Sequence, residues 1–298
     1  MANFISPFSR RRLIKQVTAG AVGITAASTL AMHAQQSQAD EQAKPARKGR
    51  IKQTMCLWCM GGDRHIVNRA KLCQKLGIVG MDLIKPALWP VLKEHGLVCS
   101  MTPSHNIGQG VNNPKFADNC VKKIEAAIIA TAEAGYQNVI CFSGNRNQGI
   151  NDTEGLVNSA KTLKRVIKLA EKHNVVLQME LLNSKNHKHY MCDSTAWGVE
   201  LVKRVGSDHF RLLYDIFHMQ RMEGDIIDTI RKNHQYIGHY HTAGNPGRGP
   251  LTPDQELQYP PIIKAIIKTG YKGFLGQEFY AGRDVEKTLT QAVTLCDV

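Results

Sequence analysis

Leu212-Leu213-Tyr214-Asp215-Ile216-Phe217-His218-Met219-Gln220-Arg221-Met222-Glu223-Gly224-Asp225 begins as a short apolar strand, then presents an acid and, three residues on, an imidazole. A carboxylate that closes an apolar strand is costly to bury unless a partner, most simply a cation, compensates it. Three other stretches share the layout: Val175-Val176-Leu177-Gln178-Met179-Glu180, Tyr236-Ile237-Gly238-His239-Tyr240-His241 and Phe274-Leu275-Gly276-Gln277-Glu278. Each is a strand-like run that finishes on a group able to bind a metal. Four such strand ends predict one site, at one rim of one barrel.

Outward from these segments, strand-like runs at 51–58, 79–83, 97–101, 138–142, 175–180, 210–214, 236–241 and 274–278 alternate with helix-like ones. The helices are expected at 64–76, 86–95, 113–134, 153–173, 194–205, 224–232, 260–269 and 284–295. Gly77, Gly96 and Gly135 stand just past helix ends, and Pro114 lies in a first turn, where proline is tolerated. Eight strand–helix pairs in about 250 residues match an α/β chain forming a single (β/α)8 TIM barrel. A doubly wound open sheet would normally carry a Gly-rich phosphate turn after its first strand, and Cys59-Met60-Gly61-Gly62-Asp63 is a poor one. The barrel is assigned to 51–298.

The N-terminal part reads as targeting rather than fold. Ser9-Arg10-Arg11-Arg12-Leu13-Ile14-Lys15 looks like a twin-arginine export signal, followed by a weakly apolar run at 17–31. That run is too short for a membrane span of about 20 residues. Ser37-Gln38-Ala39 offers a small-x-small cleavage site, and no cysteine lies near it to carry a lipid. The expectation is a signal at 1–39, a polar linker at 40–50, no stable membrane anchor, and a mature chain in the periplasm or outside the cell.

The formal charge of +13 falls to +9 (34 basic against 25 acidic residues) once the first 39 residues are set aside. The remaining basic residues are scattered along helical faces without interleaved aromatics, so no nucleic-acid partner is expected. The eight cysteines sit singly in apolar segments, apart from Cys56 and Cys59. That pair has redox or zinc spacing but no second pair to complete a zinc site, and is expected to be structural.

In barrel enzymes the chemistry lies at the C-terminal ends of the strands. Glu180, Asp215, His241 and Glu278 end strands five to eight, which are consecutive around the rim. Three carboxylates and one imidazole suit one divalent metal ion, Mn²⁺, Mg²⁺, Co²⁺ or Zn²⁺. His218 is placed to hydrogen-bond a substrate oxygen or to hold Asp215. Arg248, after strand seven, is placed to pair with a substrate oxygen. His105, after strand three, is a further substrate-binding candidate. Trp58 and Trp89 are expected to serve in core packing, with apolar walls of the site as the alternative. The polar loop at 183–190, with His187 and His189, should overhang the same rim.

The segment 214–224 resembles the most characteristic stretch of the hydroxypyruvate isomerase family, within the xylose-isomerase-like sugar isomerases and epimerases. Gly238-His239-Tyr240-His241-Thr242-Ala243-Gly244-Asn245-Pro246-Gly247-Arg248-Gly249 is similar to that family's next motif, Gly276-Gln277-Glu278-Phe279 to its last, and Ser104-His105-Asn106 to a His-Asn turn. The resemblance implies a metal held by Glu180, Asp215, His241 and Glu278, with Glu180 and Glu278 as the catalytic acid/base pair. His241 follows the epimerase pattern. Leu181-Leu182-Asn183 replaces the usual Pro-x-Asn, and the loop at 184–193 looks foreign to the isomerase.

The implied reaction is proton transfer α to a carbonyl, through an enediolate, in a small hydroxy-keto acid or sugar. A ketose 3-epimerase or a lyase acting on exported carbohydrate would use the same groups. An endonuclease-IV-like phosphodiesterase would need more histidines at strand ends. The substrate is expected to be a small carbohydrate or keto acid, and the resemblance allows a homo-oligomer.

Overall fold

The computed structural model describes residues 47–146 and 149–298. The twin-arginine segment and most of the expected linker lie outside the described residues. The linker's last residues are held: the N–H groups of Lys48 and Gly49 donate to the Asp297 carboxylate at 2.8 and 2.9 Å, and Arg50 Nε donates to Val298 O at 2.5 Å.

Eight parallel strands form one sheet: β1 (Lys52–Cys56), β2 (Gly80–Asp82), β3 (Val98–Met101), β4 (Asn138–Cys141), β5 (Val176–Leu181), β6 (Phe210–Asp215), β7 (Ile237–Thr242) and β8 (Phe274–Gln277). Their spatial order is β3-β2-β1-β8-β7-β6-β5-β4. Thr102 joins the two ends, its N–H donating to Asn138 O at 2.9 Å and its carbonyl accepting from Ile140 N–H at 3.0 Å. The single (β/α)8 barrel is therefore what the chain forms.

The crossovers are α1 (Ile66–Leu76), α2 (Trp89–Glu94), α3 (Pro114–Glu133), α4 (Asp152–Lys164), α5 (Ile167–Lys172), α6 (Thr195–Val205), α7 (Ile216–Met222), α8 (Ile226–Asn233), α9 (Tyr259–Lys268) and α10 (Val285–Cys296). Local chemistry explains their starts. Asn113, Asn151, Ser194 and Asp284 each accept a first-turn N–H and satisfy a donor that has no partner inside the helix. Two helices differ from expectation. The run at 153–173 is broken between α4 and α5 at Arg165 and Val166, with no Gly or Pro to mark the break. The turn after Asp215 grows into a helix, α7, that precedes the expected one. Among the described residues no helix is long and apolar enough to cross a membrane.

Alternation along β7 sorts its side chains by face. His239 and His241 both reach Asp82 of β2, which is not a neighbouring strand, so these three side chains meet inside the barrel. Tyr240 points outward and packs edge-on against Tyr271. The barrel interior is therefore partly polar, and its C-terminal rim carries the acids.

Candidate active site

Four strand ends converge as their register predicts. Asp215 pairs with His241 across β6 and β7, and Glu278 N–H donates to Thr242 O at 2.9 Å, which carries Glu278 to the same level. One ligand atom from each of Glu180, Asp215, His241 and Glu278 lies within 4.8 Å of the others, and all four residues are buried. Asp215 does two jobs. Its Oδ1 accepts the His218 N–H at 3.2 Å and caps α7, and its Oδ2 accepts from Arg248 Nη2 at 2.8 Å.

His241 Nδ1 lies 2.7 Å from Glu278 Oε2 and 3.8 Å from Glu180 Oε1, yet makes no hydrogen bond of acceptable geometry. A buried ring nitrogen aimed into converging carboxylates, without a hydrogen bond of its own, is the environment a divalent cation satisfies. The donor set of one nitrogen and three carboxylates fits such an ion.

The electrostatics are those of crowded acids. Burial, with the neighbouring charges of Glu278 and Asp215, pushes the Glu180 carboxyl up to about 7. Burial acts on Glu278 in the same direction, but His241 and then Arg248 outweigh it and hold that carboxyl well below the usual range. Arg248 is buried and also donates to Glu278 Oε2, so its single positive charge is shared between two acids.

Each predicted substrate-binding residue has a definite place. His218 lines the cavity above the acids. Its Nδ1 accepts from the Asn183 N–H at 3.1 Å, and Arg248 Nη1 lies 2.6 Å from its Nε2. Burial and then Arg248 keep the ring neutral. Arg248 lines the same cavity, as does His187, whose ring centroid is 5.4 Å from that of His218. His189 is exposed and does not reach it.

His105 lies behind the cavity wall rather than in it. Its Nε2 accepts from the Phe142 N–H at 3.3 Å, its Nδ1 lies 3.2 Å from Asn106 O, and its ring packs edge-on against Phe142. Both nitrogens are used by backbone, and its neighbours Ile107 and Phe142, rather than His105, line the cavity. Burial lowers its pKa to about 4. A histidine whose folded pKa lies below its unfolded value of about 6.5 contributes stability above that pH and loses it as pH falls toward 4. His105→Gln should therefore remove about 3 kcal/mol of acid-induced destabilisation. Urea unfolding of both proteins from pH 7 to 4 measures it, and parallel curves would refute this account.

Trp58 takes the second of its two expected places, the cavity wall: it is 45% exposed at the rim, and its Nε1 donates to Glu278 Oε1 at 2.7 Å. Trp89 is buried, as expected. Cys56 and Cys59 are unbridged, and the Cys59 thiol donates to Cys56 O at 3.1 Å. Two site features escaped sequence reasoning. Asn183 orients His218, and Asp82, at the end of β2, joins His239 and His241 beneath the acids. An acid ending a short buried strand is the signal that could have found Asp82.

The cavity above the acids encloses about 540 Å³. Leu83, Ile107, Phe142, Leu182 and Phe217 form its apolar walls. Trp58 and Tyr280 stand edge to face at its mouth, 5.5 Å apart.

Residues 82–295 match the family model described as xylose isomerase-like TIM barrel, and the chain belongs to that family. Over 157 residues it is 29% identical to the hydroxypyruvate isomerase of Escherichia coli K12, covering 52% of this chain and 60% of that one. Over 154 residues it is 29% identical to a D-psicose 3-epimerase of Enterocloster bolteae, covering 47% and 50%. The chain thus spans between half and two thirds of the length of these relatives. The solved structure of a 3-keto-D-glucoside 4-epimerase from Escherichia coli superimposes with a TM-score of 0.69 at 18% identity, covering 82% of this chain and 99% of that one.

Proposed function

We propose that this protein is a metal-dependent isomerase or epimerase that moves a proton on the carbon next to a carbonyl of a neutral sugar. The observation that carries the reading is the convergence of two buried glutamates, Glu180 and Glu278, with Asp215 and the free Nδ1 of His241. The curated relatives named above, an isomerase and an epimerase, support the same reaction class.

A bound divalent cation would be held by Glu180, Asp215, His241 and Glu278, and would polarise the carbonyl as a Lewis acid. The chain's own groups do the rest. One glutamate removes the carbon-bound proton, and the other returns one to the adjacent carbon or to the opposite face. Arg248 holds Asp215 and Glu278 beneath the cavity, and with Asn183 it fixes the His218 ring in the cavity wall. Trp58 holds Glu278 through its Oε1, and the apolar walls flank the reacting carbons.

Charge favours a sugar over a keto acid. Arg248 is the only Lys or Arg lining the cavity among the described residues, and Asp215 and Glu278 already engage it. With three carboxylates facing one guanidinium and one divalent ion, no positive charge is left over for a substrate carboxylate. The aromatic pair at the mouth suits the C–H face of a sugar ring.

The segment at 9–15 supports export of the folded chain by the twin-arginine route, which would place the activity in the periplasm or outside the cell. The test is metal analysis of protein purified without chelator, then incubation in D₂O with neutral ketoses, keto-glycosides and hydroxy-keto acids. About one divalent ion per chain and deuterium at the carbon beside the carbonyl of a neutral sugar are expected. Exchange confined to the keto acids would overturn the substrate assignment, and failure to bind any divalent ion would overturn the whole reading.

A further inference from the structure

We propose that Asp82 is the positioning residue that makes His241 a metal ligand, by fixing the proton on its far nitrogen. Asp82 ends β2 and is fully buried, and its carboxylate is held by groups from three other strands. Oδ1 accepts from Thr54 Oγ1 of β1 at 2.8 Å and from Ser100 Oγ of β3. This fixes the carboxylate so that Oδ2 faces β7 across the barrel. There it meets His239 Nε2 at 2.6 Å and His241 Nε2 at 2.8 Å. Cys56 Sγ also lies near this second nitrogen, at 3.7 Å.

An ionised carboxylate only accepts, so both rings must carry a proton on Nε2. For His241 that assignment makes Nδ1 the nitrogen a cation can take, displacing any proton there while the one on Nε2 stays with Asp82, and Nδ1 is the atom that faces Glu180 and Glu278. A hydrogen bond from the far nitrogen of a ligating imidazole to a carboxylate also raises its basicity and fixes the plane of its ring. His239 occupies the remaining side of Oδ2 and stops the carboxylate from turning.

The link needs space that one glycine provides. A Cβ at Gly276 would lie 2.6 Å from Asp82 Oδ2 and 2.7 Å from His241 Cδ2, closer than any side chain tolerates. The Gly276-Gln277-Glu278 segment thus contributes an acid at the rim and a clearance beneath it.

In Asp82→Asn the amide oxygen can still accept from Thr54 and Ser100, which turns the NH₂ toward two Nε2–H groups. The rings relieve that clash by moving the proton to Nδ1, where in His241 it blocks the ligand lone pair. The inference rests on the metal reading of the site, and its test separates the two. Zn²⁺ affinity is measured by competition with a chromophoric chelator for the wild type and Asp82→Asn, with circular dichroism to verify folding. Histidine-labelled wild type loaded with Zn²⁺ is examined by long-range ¹H–¹⁵N NMR.

The expected results are a 10–100-fold weaker Zn²⁺ affinity in the variant and, in the wild type, His241 bound through Nδ1 with a proton retained on Nε2. A merely structural Asp82 would leave the affinity of the folded variant unchanged. Unchanged affinity in folded Asp82→Asn, or coordination through Nε2, overturns this inference and leaves the metal site standing. If Asp82→Asn does not fold, Zn²⁺ affinity is measured for Ser100→Ala, which removes one of the two hydroxyls that fix the carboxylate, and unchanged affinity there overturns the inference. A wild type that binds no Zn²⁺ removes both.

Discussion

Glu180→Gln and Glu278→Gln are each expected to lower turnover by about 10²–10⁴-fold at saturating metal, the usual scale for losing a positioned acid or base. Glutamine keeps the shape and one acceptor oxygen of each side chain but cannot take up a proton. The two variants should differ in kind. Glu278 accepts from Trp58 and Arg248 and lies 2.7 Å from His241, so its loss also leaves a buried guanidinium with one acid fewer. Glu180 makes fewer contacts, and its substitution should leave stability closer to the wild type. The measurement is the rate of deuterium incorporation into the sugar found by the exchange screen, with bound metal quantified beside it. If either variant exchanged at the wild-type rate with metal bound, that glutamate would carry no proton.

Asp215→Asn should abolish the stabilisation by metal, while the metal-free protein still folds at a lower Tm because buried Arg248 loses one of its two acids. Asparagine caps a helix about as well as aspartate, so α7 keeps its start. What disappears is the charge on the oxygen that faces the cluster. A ligand at a hundred times its dissociation constant stabilises the folded state by about 2.7 kcal/mol, or about 5–10 °C in Tm for a domain of this size. Wild-type protein should show that rise with Mn²⁺ or Zn²⁺ after chelator treatment, and Asp215→Asn should show none at the same concentration. Equal shifts in both proteins would mean that the ion binds elsewhere.

The barrel was legible because parallel strands buried on both faces are written as near-continuous apolar runs, and Asn, Ser and Gly punctuate the helices between them. The break between α4 and α5 was not, because no residue type marks it. The rim acids were legible for a related reason. An acid that closes an apolar run needs a partner, and four such ends in consecutive strands share a rim by topology alone.

Other roles depended on contacts between residues far apart in the chain. Asp82 stands in a strand of three residues, and nothing nearby says that it reaches His239 and His241, 157 and 159 residues later. His105 left its expected place, and Trp58 took the second of its two. The histidine found two backbone partners and left the cavity, while the tryptophan found Glu278 and stayed at its rim.

The sequence by itself determined the eightfold alternation, the level of the rim and the four acid and imidazole groups on it, since periodicity and burial cost act locally along the chain. Only the tertiary structure decided which groups hold those four in place and how large a cavity stands above them. Those properties belong to side chains that meet across the barrel, where distance in space is independent of distance in sequence.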